Sequence, residues 1–310
     1  MKIVITGASG PFGSGVVRGL LAKGVSPSAL ILVSRRPEKL REFAEFGTEA
    51  RCGDFDDYDR LVEALAGGER MLMISTNRVG QREPPHTNAV NAAKAAGVKH
   101  VVYTSFVGDD QNVSIAVSDH RLTERLLAES GMAWTILRNA QYSEAMRDAG
   151  APSAILRGEW VSSTGAGRMA FVTRDDCVAS AAAVMAGEGH AGKTYNITGP
   201  ELLTYGEVAR LSAEISGHPI SYREVDEAGM YAFFDSLGVP RAAKDDHVVD
   251  GFGWCSDDMV SFEASVRNGS FAIISNDVVT LAGRRPKSMR EVLSERREAL
   301  RAIVPVVAPT

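Results

Sequence analysis

Three glycines near the N-terminus are spaced for binding a phosphate. The segment GASGPFG has the pattern G-x-x-G-x-x-G, follows a short apolar run and precedes residues with helical apolar spacing. In such a loop the first glycine forms a tight turn, the second admits a pyrophosphate, and the third lets helix and strand pack closely. The free N–H groups at the helix start then attract the phosphates. We therefore predict a dinucleotide site formed by Gly7, Ser9, Gly10, Pro11, Phe12 and Gly13.

The residues after the second apolar run indicate which dinucleotide is bound. An acidic residue here would bind the ribose hydroxyls of NAD(H), whereas an arginine accommodates the 2′-phosphate of NADP(H). Residues 26–37 contain no acid, and the run ends in Ser34, Arg35 and Arg36. A hydroxyl and two guanidinium groups suit a phosphate. NADP(H) is preferred, and NAD(H) stays open because exposed arginines are also ordinary surface charges.

Further polar residues follow the third and fourth apolar runs. Asp54 and Phe55 come after one of them, and Ser75, Thr76 and Asn77 come after the next. Ligands of doubly wound sheets bind at the carboxyl ends of the strands. We expect Asp54 to accept from the adenine amino group and the other residues to line the adenosine. The alternative for each of them is a cap on the next helix, a role that Asp54 or Asp56 could fill.

Short apolar runs alternate with helical patterns through the first half of the chain. Strands are expected at 2–6, 29–34, 50–53, 71–75, 99–105 and 134–138, with helices between them. Continuously apolar strands are typical of a parallel sheet covered on both faces. We predict an α/β fold, a Rossmann-type doubly wound parallel sheet with a smaller C-terminal α/β substrate domain. Residues 1–150 would form the NAD(P)-binding domain and 151–310 the substrate-binding domain, with some chain crossing between them.

The second half has a looser pattern. Strands are expected at 154–156, 160–162, 193–197 and 221–223, and helices at 175–185 and 204–215. The apolar spacing over 288–303 predicts one amphipathic helix. Aromatic and methionine side chains in this half suit a flat polycyclic substrate, although such a set is also ordinary core. They are Met230, Tyr231, Phe233, Phe234, Phe252, Trp254, Met259 and Phe262.

Composition excludes several classes of protein. The formal net charge of the 310 residues is −5, which argues against a nucleic-acid partner. Three cysteines without a CxxC pair, and histidines without an HExxH pattern, predict neither a disulfide framework nor a metal site. No apolar run approaches the length of a membrane span. We expect a cytoplasmic protein without a membrane or nucleic-acid partner, and a homo-oligomer is one option.

Several longer segments resemble the atypical short-chain dehydrogenases of the NmrA-like family, particularly the NADPH:quinone reductase and triphenylmethane reductase branch. The matching segments are VITGASGPFGSGVV at 4–17, VSRRPEKL at 33–40, GDFDD at 53–57, AAGVKHVVYTSF at 95–106, DHRLTERLLAESGMAWTILRNAQYSE at 119–144, FVTRDDCVASAAAVM at 171–185 and YNITGPELLTYGEVA at 195–209. The resemblance implies a Rossmann domain, a smaller substrate domain and usually an NADP(H) site. Some members of the family have lost catalysis and act as redox-sensing regulators.

The catalytic residues typical of short-chain dehydrogenases are only partly present. Ser105 stands where the resemblance places the serine, but Ala116 and His120 stand in place of the tyrosine and lysine of the YxxxK pair. A histidine at this position is similar to the quinone-reductase branch. Asn139 and Tyr142 follow the sixth apolar run, where the resemblance puts the nicotinamide. The candidate catalytic residues are His120, Ser105 and Tyr142, and Ser105, His120 and Asn139 are also candidate cofactor ligands.

The missing YxxxK pair favours a particular kind of acceptor. Reduction of an aliphatic ketone creates an alkoxide and needs a strong proton donor, whereas a quinone or other conjugated acceptor delocalises the charge. The site would then mainly orient the acceptor on the nicotinamide. His120, with an ordinary pKa of about 6.5, would donate a proton or hold the ribose. The alternative is a surface or capping histidine.

Three functions follow from these residues. The first is an NAD(P)H-dependent oxidoreductase that transfers hydride directly to a quinone or other polycyclic aromatic substrate. The second is a non-catalytic NmrA-like NADP(H) sensor, and the third is a tailoring enzyme that oxidises or oxygenates an aromatic natural product. The oxidoreductase is favoured because the chain retains polar residues on the nicotinamide side, whereas a sensor needs no open substrate crevice there. These residues are Ser105, His120, Asn139 and Tyr142.

Overall fold

A parallel sheet forms the centre of the molecule. The computed structural model describes residues 1–243, 248–249, 252–253 and 255–306, and among these seven strands form one sheet in the order β3-β2-β1-β4-β5-β6-β8. Every neighbouring pair is parallel, which confirms the predicted doubly wound fold. Its strands are β1 (Ile3–Thr6), β2 (Leu30–Ser34), β3 (Glu49–Cys52), β4 (Arg70–Met73), β5 (His100–Phe106), β6 (Ala133–Asn139) and β8 (Lys193–Ile197).

The helices connect the strands and cover both faces of the sheet. On one face α1 packs against α8, and on the other α4 packs between α3 and α5. The described helices are α1 (Pro11–Ala22), α2 (Arg41–Glu45), α3 (Tyr58–Leu65), α4 (Glu83–Ala95), α5 (Ile115–Glu129), α6 (Ser143–Ala145), α7 (Ala151–Arg157), α8 (Arg174–Ala186), α9 (Tyr205–Ser216), α10 (Glu227–Ser236), α11 (Ser256–Arg267), α12 (Asp277–Ala282), α13 (Met289–Ser294) and α14 (Arg297–Arg301).

The five central strands of the sheet, β1, β2, β4, β5 and β6, each contribute to two separate hydrophobic cores. In β1, Ile5 lies in the core under α1 and α8, while its neighbour Val4 lies in the core under α3 and α4. Val102 and Val101 of β5 divide in the same way. Successive side chains of a strand point to opposite faces, so a sheet covered on both faces needs apolar residues at every position. This requirement explains the continuous apolar runs in the sequence.

The second half of the chain returns to this sheet. Strand β8 pairs with β6, with Tyr195 opposite Leu137, and is therefore an edge of the large sheet. A smaller parallel pair is formed by β7 (Glu159–Ser162) and β9 (Ser221–Glu224). Two short strands, β10 (Val248–Val249) and β11 (Phe252–Gly253), pair antiparallel. The division at residue 150 stays a prediction, and β8 is a crossing of the kind expected with it.

Two predicted elements of the second half are wrong. Residues 154–156 lie in α7, which begins with a proline in its first turn and ends at Gly158 in the left-handed conformation, with φ of +71°. Residues 288–303 form α13 and α14 rather than one helix. Leu293 and Leu300 both reach the core, so their helical spacing survives the break between the two helices. No helix in the described part of the chain is long and apolar enough to cross a membrane.

Two glycines let α1 and α8 approach closely. A Cβ atom on Gly15 would lie 3.0 Å from a methyl group of Val178, and one on Gly19 would lie 2.9 Å from the Cβ of Ala182. The second contact cannot be relieved by a side-chain rotation, because the alanine Cβ is fixed to the backbone. Helix α1 is therefore held between the sheet and α8 with no room for a larger residue at this crossing.

We expect Gly19→Ala to lower the free energy of unfolding by about 1–3 kcal/mol, because the added methyl group overpacks the crossing of α1 and α8. Urea unfolding followed by circular dichroism measures the change. Gly206→Ala in α9 is the matched control, because its Cβ would meet nothing closer than 3.7 Å. Equal stabilities of the two variants would show that the crossing tolerates the methyl group.

Candidate dinucleotide and substrate site

The glycine loop joins β1 to α1 in a tight turn. Gly7 has a φ of +61°, and the N–H of Gly10 donates to its carbonyl at 3.0 Å. A Cβ on Gly13 would lie 2.5 Å from the Gly7 carbonyl oxygen. These positions require glycine for two different reasons, a left-handed backbone at Gly7 and a backbone-to-backbone approach at Gly13. The loop therefore brings the first turn of α1 directly over the end of β1.

The start of α1 has the features of an anion site. Gly10 is the N-cap, Pro11 occupies the first turn, and no side chain in the described part of the chain caps the helix. The first turn also contains no acidic residue. The ring of Phe12 is buried in the core, so this residue offers its backbone to a ligand. The uncapped N–H groups and the helix dipole suit a pyrophosphate.

A pair of serines connects the loop to the end of β2. The hydroxyls of Ser9 and Ser34 lie 2.7 Å apart, and the Ser34 hydroxyl accepts from the N–H of Arg36 at 3.0 Å. Arg35 and Arg36 are both exposed. Their side chains therefore lie at the surface beside the glycine loop, which is the position predicted for residues that bind the 2′-phosphate of NADP(H).

Arg35 borders a surface pocket of about 260 Å³ at the ends of β2 and β3. Cys52, Asp54, Asp56, Asp57 and Arg60 line the same pocket, so its wall contains two guanidinium groups and three carboxylates. The sequence argument missed Arg60. Arg60 lies in the first turn of α3, just after the GDFDD segment. That position in the sequence could have indicated that it lies at the carboxyl ends of β2 and β3.

The acids of the GDFDD segment have separate roles. Asp57 caps α3, because its carboxylate accepts from the N–H of Arg60 at 3.1 Å, so the alternative of an Asp54 or Asp56 cap is wrong. Asp56 forms a two-point ion pair with Arg78, with distances of 3.0 and 2.6 Å. Asp54 keeps a place in the pocket wall, its Oδ1 accepting only a 3.3 Å bond from a backbone N–H.

Phe55 and the residues after β4 are held by a buried histidine. The ring of Phe55 lies edge-on to His86 at 6.0 Å, so its side chain belongs to the core. The N–H of Thr76 donates to Nε2 of His86 at 3.2 Å, which leaves the histidine proton on Nδ1, facing Thr123 at 2.8 Å. Burial, and to a smaller extent Arg82, lower the pKa of His86 to about 3. His86 is therefore a neutral support for the adenosine side of the crevice.

Ser75 and Asn77 flank Thr76 at the same strand end. The N–H of Ser75 donates to the Thr104 hydroxyl at 2.9 Å, and the carbonyl of Thr76 accepts from the buried guanidinium of Arg82 at 2.7 Å. The backbone after β4 is thus fixed by its neighbours on both sides. The roles of Ser75, Thr76 and Asn77 toward a dinucleotide stay predictions.

Ser105 lies near the end of β5, and its hydroxyl donates to a partly buried carboxylate. It donates to Glu124 of α5 at 2.6 Å, and the same carboxylate pairs with Arg121 at 2.7 Å and Arg138 at 2.6 Å. Glu124 is thus satisfied by two cations and one hydroxyl. In this geometry the Ser105 proton anchors α5 to the sheet and does not face a substrate.

His120 is buried beside Ser105 and is not a surface or capping residue. It is 5% exposed, its Nδ1 lies 2.7 Å from the Tyr103 hydroxyl, and its ring stacks on Phe106 with centroids 6.4 Å apart. Burial lowers the pKa of His120 well below its usual value, and the nearby Arg82 and the other cations act in the same direction. The expectation of an ordinary pKa is therefore wrong, and the imidazole is neutral near pH 7.

Asn139 and Tyr142 complete this end of the crevice. Asn139 is the cross-strand partner of Phe106, and its Oδ1 is buried with no hydrogen-bond partner among the described residues. The Arg174 guanidinium lies 5.2 Å from the centre of the Tyr142 ring. Burial raises the pKa of Tyr142, so its phenol stays protonated. An unpaired buried acceptor is rare and fits the amide N–H of a carboxamide.

The predicted aromatic wall is mostly core. Met230 and Phe234 pack with Val161 in a small separate cluster, and Phe262 packs on Phe106 and Phe271 with centroids 5.7 and 4.7 Å away. The side chain of Phe252 and the whole of Trp254 lie outside the described residues. Phe262 is thus the member of the set that contacts Phe106 at the end of β5.

This geometry fits a dinucleotide along the strand ends. A model of the NAD(P)H-binding family matches residues 7–185, from the glycine loop through α8. The chain is also 39% identical over 243 residues to quinone oxidoreductase 2 of Escherichia coli strain K12, covering 78% of this chain and 84% of that protein. The chain belongs to the NAD(P)H-binding family.

Solved structures place it in a branch of that family. The fold matches the Escherichia coli quinone oxidoreductase complexed with NADPH with a TM-score of 0.85 and 35% identity, over 94% of this chain and 99% of the other. It matches the Citrobacter sp. triphenylmethane reductase complexed with NADP(H) with a TM-score of 0.81 and 29% identity, over 95% and 99%. The predicted membership of the NmrA-like atypical short-chain dehydrogenases, in the quinone reductase branch, is confirmed.

We expect Arg35→Ala to weaken NADPH binding about tenfold to a hundredfold, because a charge-assisted bond to the 2′-phosphate is lost. NADH binding should change little. Fluorescence titration of both reduced dinucleotides measures the two constants, and Arg297→Ala on α14 is a control for a lost exposed charge. Equal weakening for NADH and NADPH would contradict the assigned contact.

The buried His86 predicts a loss of stability in acid. Its pKa is about 3 in the folded chain and about 6.5 when unfolded, so the unfolded state binds the proton first. Stability is therefore full above the unfolded value and falls by about 1.4 kcal/mol per pH unit as the pH drops below it. Urea unfolding of wild type and His86→Gln at two acidic pH values tests this. An unchanged pH slope in the variant would refute the assignment.

Proposed function

We propose that this protein is an NADPH-dependent oxidoreductase that reduces a quinone or another conjugated aromatic acceptor. The observation that carries the proposal is the nicotinamide end of the crevice. There a neutral, buried His120 and the unpaired Oδ1 of Asn139 lie beside Phe106, and Ala116 leaves no tyrosine for a YxxxK pair. Such a site can hold and orient an acceptor but lacks the strong proton donor that an aliphatic ketone needs.

The binding roles follow from the geometry of the strand ends. The first turn of α1, beyond Gly10, would bind the pyrophosphate. Arg35, with Arg60 across the pocket, would bind the 2′-phosphate, which makes NADPH the preferred cofactor. Asp54 would accept from the adenine amino group. The Oδ1 of Asn139 would accept from the carboxamide and so select which face of the nicotinamide is presented.

Reduction of such an acceptor then requires little general acid or base catalysis from the protein. When bound, the reduced cofactor supplies the hydride. Phe106, on which the His120 ring stacks, is packed by the apolar Phe262, so this end of the crevice has an apolar side that limits water. His120 would hold an oxygen of the acceptor while charge builds on it. Orientation and exclusion of water thus account for the acceleration, in keeping with a delocalised acceptor.

Two relatives support the substrate class. Quinone oxidoreductase 2 of Escherichia coli is named for quinones, and the Citrobacter enzyme for triphenylmethane dyes. Both names describe conjugated acceptors. We extend this class to the present chain, and with it a small aromatic or quinone-like partner and a cytoplasmic location.

The proposal is tested by following NADPH absorbance with a panel of quinones. Wild type is expected to turn over with NADPH faster than with NADH. His120→Ala should lower kcat/KM about tenfold to a hundredfold, the value of one lost hydrogen bond in the transition state. His190→Ala, at the opposite end of β6, is the control and should leave the rate unchanged.

Tight NADPH binding without turnover of any acceptor would overturn the proposal. That outcome would favour the second function, a sensor that reports the redox state of the dinucleotide. The site would then serve recognition only, and the His120 variant would show no kinetic phenotype at all.

A further inference from the structure

Tyr103 is a buried polar residue in the middle of β5 to which the proposed reaction gives no role. It is 0% exposed and lies on the same face of the strand as Ser105, two residues further on. Its hydroxyl is 2.7 Å from Nδ1 of His120. The rings of the two residues are tilted by 49°, with centroids 5.7 Å apart. The contact is therefore a hydrogen bond between a phenol and one particular ring nitrogen.

The phenol keeps its proton and needs an acceptor for it. Burial raises the pKa of Tyr103, so the hydroxyl is never ionised near neutral pH. A buried O–H without an acceptor is costly. The Thr123 hydroxyl also faces the phenol. It donates its proton to the Asp119 carbonyl at 3.0 Å, and its oxygen accepts from Nδ1 of His86 at 2.8 Å. Nδ1 of His120 is the acceptor with hydrogen-bonding geometry in the described part of the chain.

The charges around His120 keep the ring neutral. Burial lowers its pKa most, and Arg82 before α4 and Arg121 on α5 lower it further, while His86 on α4 is itself neutral near pH 7. Two acids of this region are engaged elsewhere. Asp119 accepts from the N–H of Gly80 at 2.6 Å and lies 3.9 Å from Arg82, and Glu124 is paired with Arg121 and Arg138. The third, Asp258 of α11, has a buried Oδ1 with no hydrogen-bond partner among the described residues, and burial raises its pKa to about 6 while Arg82 and the backbone of Ala116 lower it.

We propose that Tyr103 donates its proton to Nδ1 of His120 and thereby fixes the imidazole as the neutral tautomer with its proton on Nε2. That nitrogen makes no hydrogen bond to any described residue, so its N–H is available to a ligand. His120 then acts as a neutral hydrogen-bond donor and not as an acid, and Tyr103 is a positioning residue. The part played in catalysis rests on the proposed function, whereas the tautomer does not.

The balance of the reaction follows from this assignment. When bound, the reduced nicotinamide would supply a hydride to the acceptor, and the Nε2–H of His120 would stabilise the negative charge that develops on the acceptor oxygen. A neutral imidazole is a sufficient donor for such an oxygen. Because the imidazole keeps its own proton, the proton that completes the reduction would come from solvent water as the reduced acceptor leaves the site.

The tautomer is measured directly by nitrogen-15 NMR of the histidine side chains in the cofactor-free protein. We expect His120 to show a protonated Nε2 and an unprotonated Nδ1 between about pH 5.5 and 8, without titration. Tyr103→Phe should remove the bond and give a mixture of tautomers. Tyr195→Phe is the matched control, because it removes a second tyrosine bond to a histidine Nδ1, that of His190 at 2.8 Å.

Two substitutions of the histidine extend the test to turnover. The amide nitrogen of glutamine reaches the position of Nε2, and that of asparagine reaches the position of Nδ1. His120→Gln should therefore retain about tenfold more kcat/KM than His120→Asn or His120→Ala. Tyr103→Phe should lower kcat with quinone about tenfold while the KM for NADPH stays near its wild-type value. Tyr195→Phe should alter neither constant.

Three results would overturn the inference. They are a proton on Nδ1 of His120 in the wild type, a titration of His120 near neutral pH, or equal activities of the glutamine and asparagine variants. The first two are read from the wild-type spectrum, so they decide the matter even when Tyr103→Phe does not fold. A correct tautomer with no turnover would leave the positioning role of Tyr103 intact and would count against the oxidoreductase alone.

Discussion

The contact of Gly13 with the Gly7 carbonyl determines the geometry of the site. Because a Cβ at this point would lie 2.5 Å from the oxygen, the first turn of α1 sits closer to β1 than any other residue would allow. Because α1 begins so close to β1, the uncapped N–H groups of its first turn point into the crevice at the ends of the strands. The same helix is then fixed from behind by α8, where Gly19 meets Ala182. Helix α1 is thus positioned by a backbone contact near its start and by the side chain of Ala182 near its end.

The opposite side of the crevice is positioned by polar side chains. Helix α5 is linked to β5 through His120 to Tyr103 and through Glu124 to Ser105, and to α4 through Thr123 to His86. The bonds of Thr123 and His120 are buried and that of Glu124 is partly buried, and such polar groups are strongly directional because leaving one unpaired is costly. A helix held in this way cannot rotate about its axis. The place of His120 is therefore determined by its neighbours as much as by its own bonds.

The sequence was sufficient for the parts of this site that depend on backbone. The apolar runs of the first half predict the parallel sheet from local sequence alone. The glycine spacing and the arginines after β2 likewise predict the dinucleotide site without knowledge of distant residues. The sequence was insufficient where partners come from distant elements. Nothing local distinguishes Tyr103 from a core aromatic, and the pKa of His120 depends on Arg82, which is 38 residues away along the chain. The apolar triplet at 154–156 predicts a strand, but the same three residues are equally compatible with the helix α7 in which they lie.

The edge position of β8 has a consequence for the order of synthesis. Residues 1–139 supply six strands of the sheet, but the last strand and the helix that covers α1 come from residues 174–197. A nascent chain that has just completed the glycine loop and β6 still exposes the apolar side of α1 and an unpaired strand edge. Such surfaces are prone to aggregation until they are covered. The dinucleotide half of this protein therefore reaches its final form only after more than half of the chain has left the ribosome.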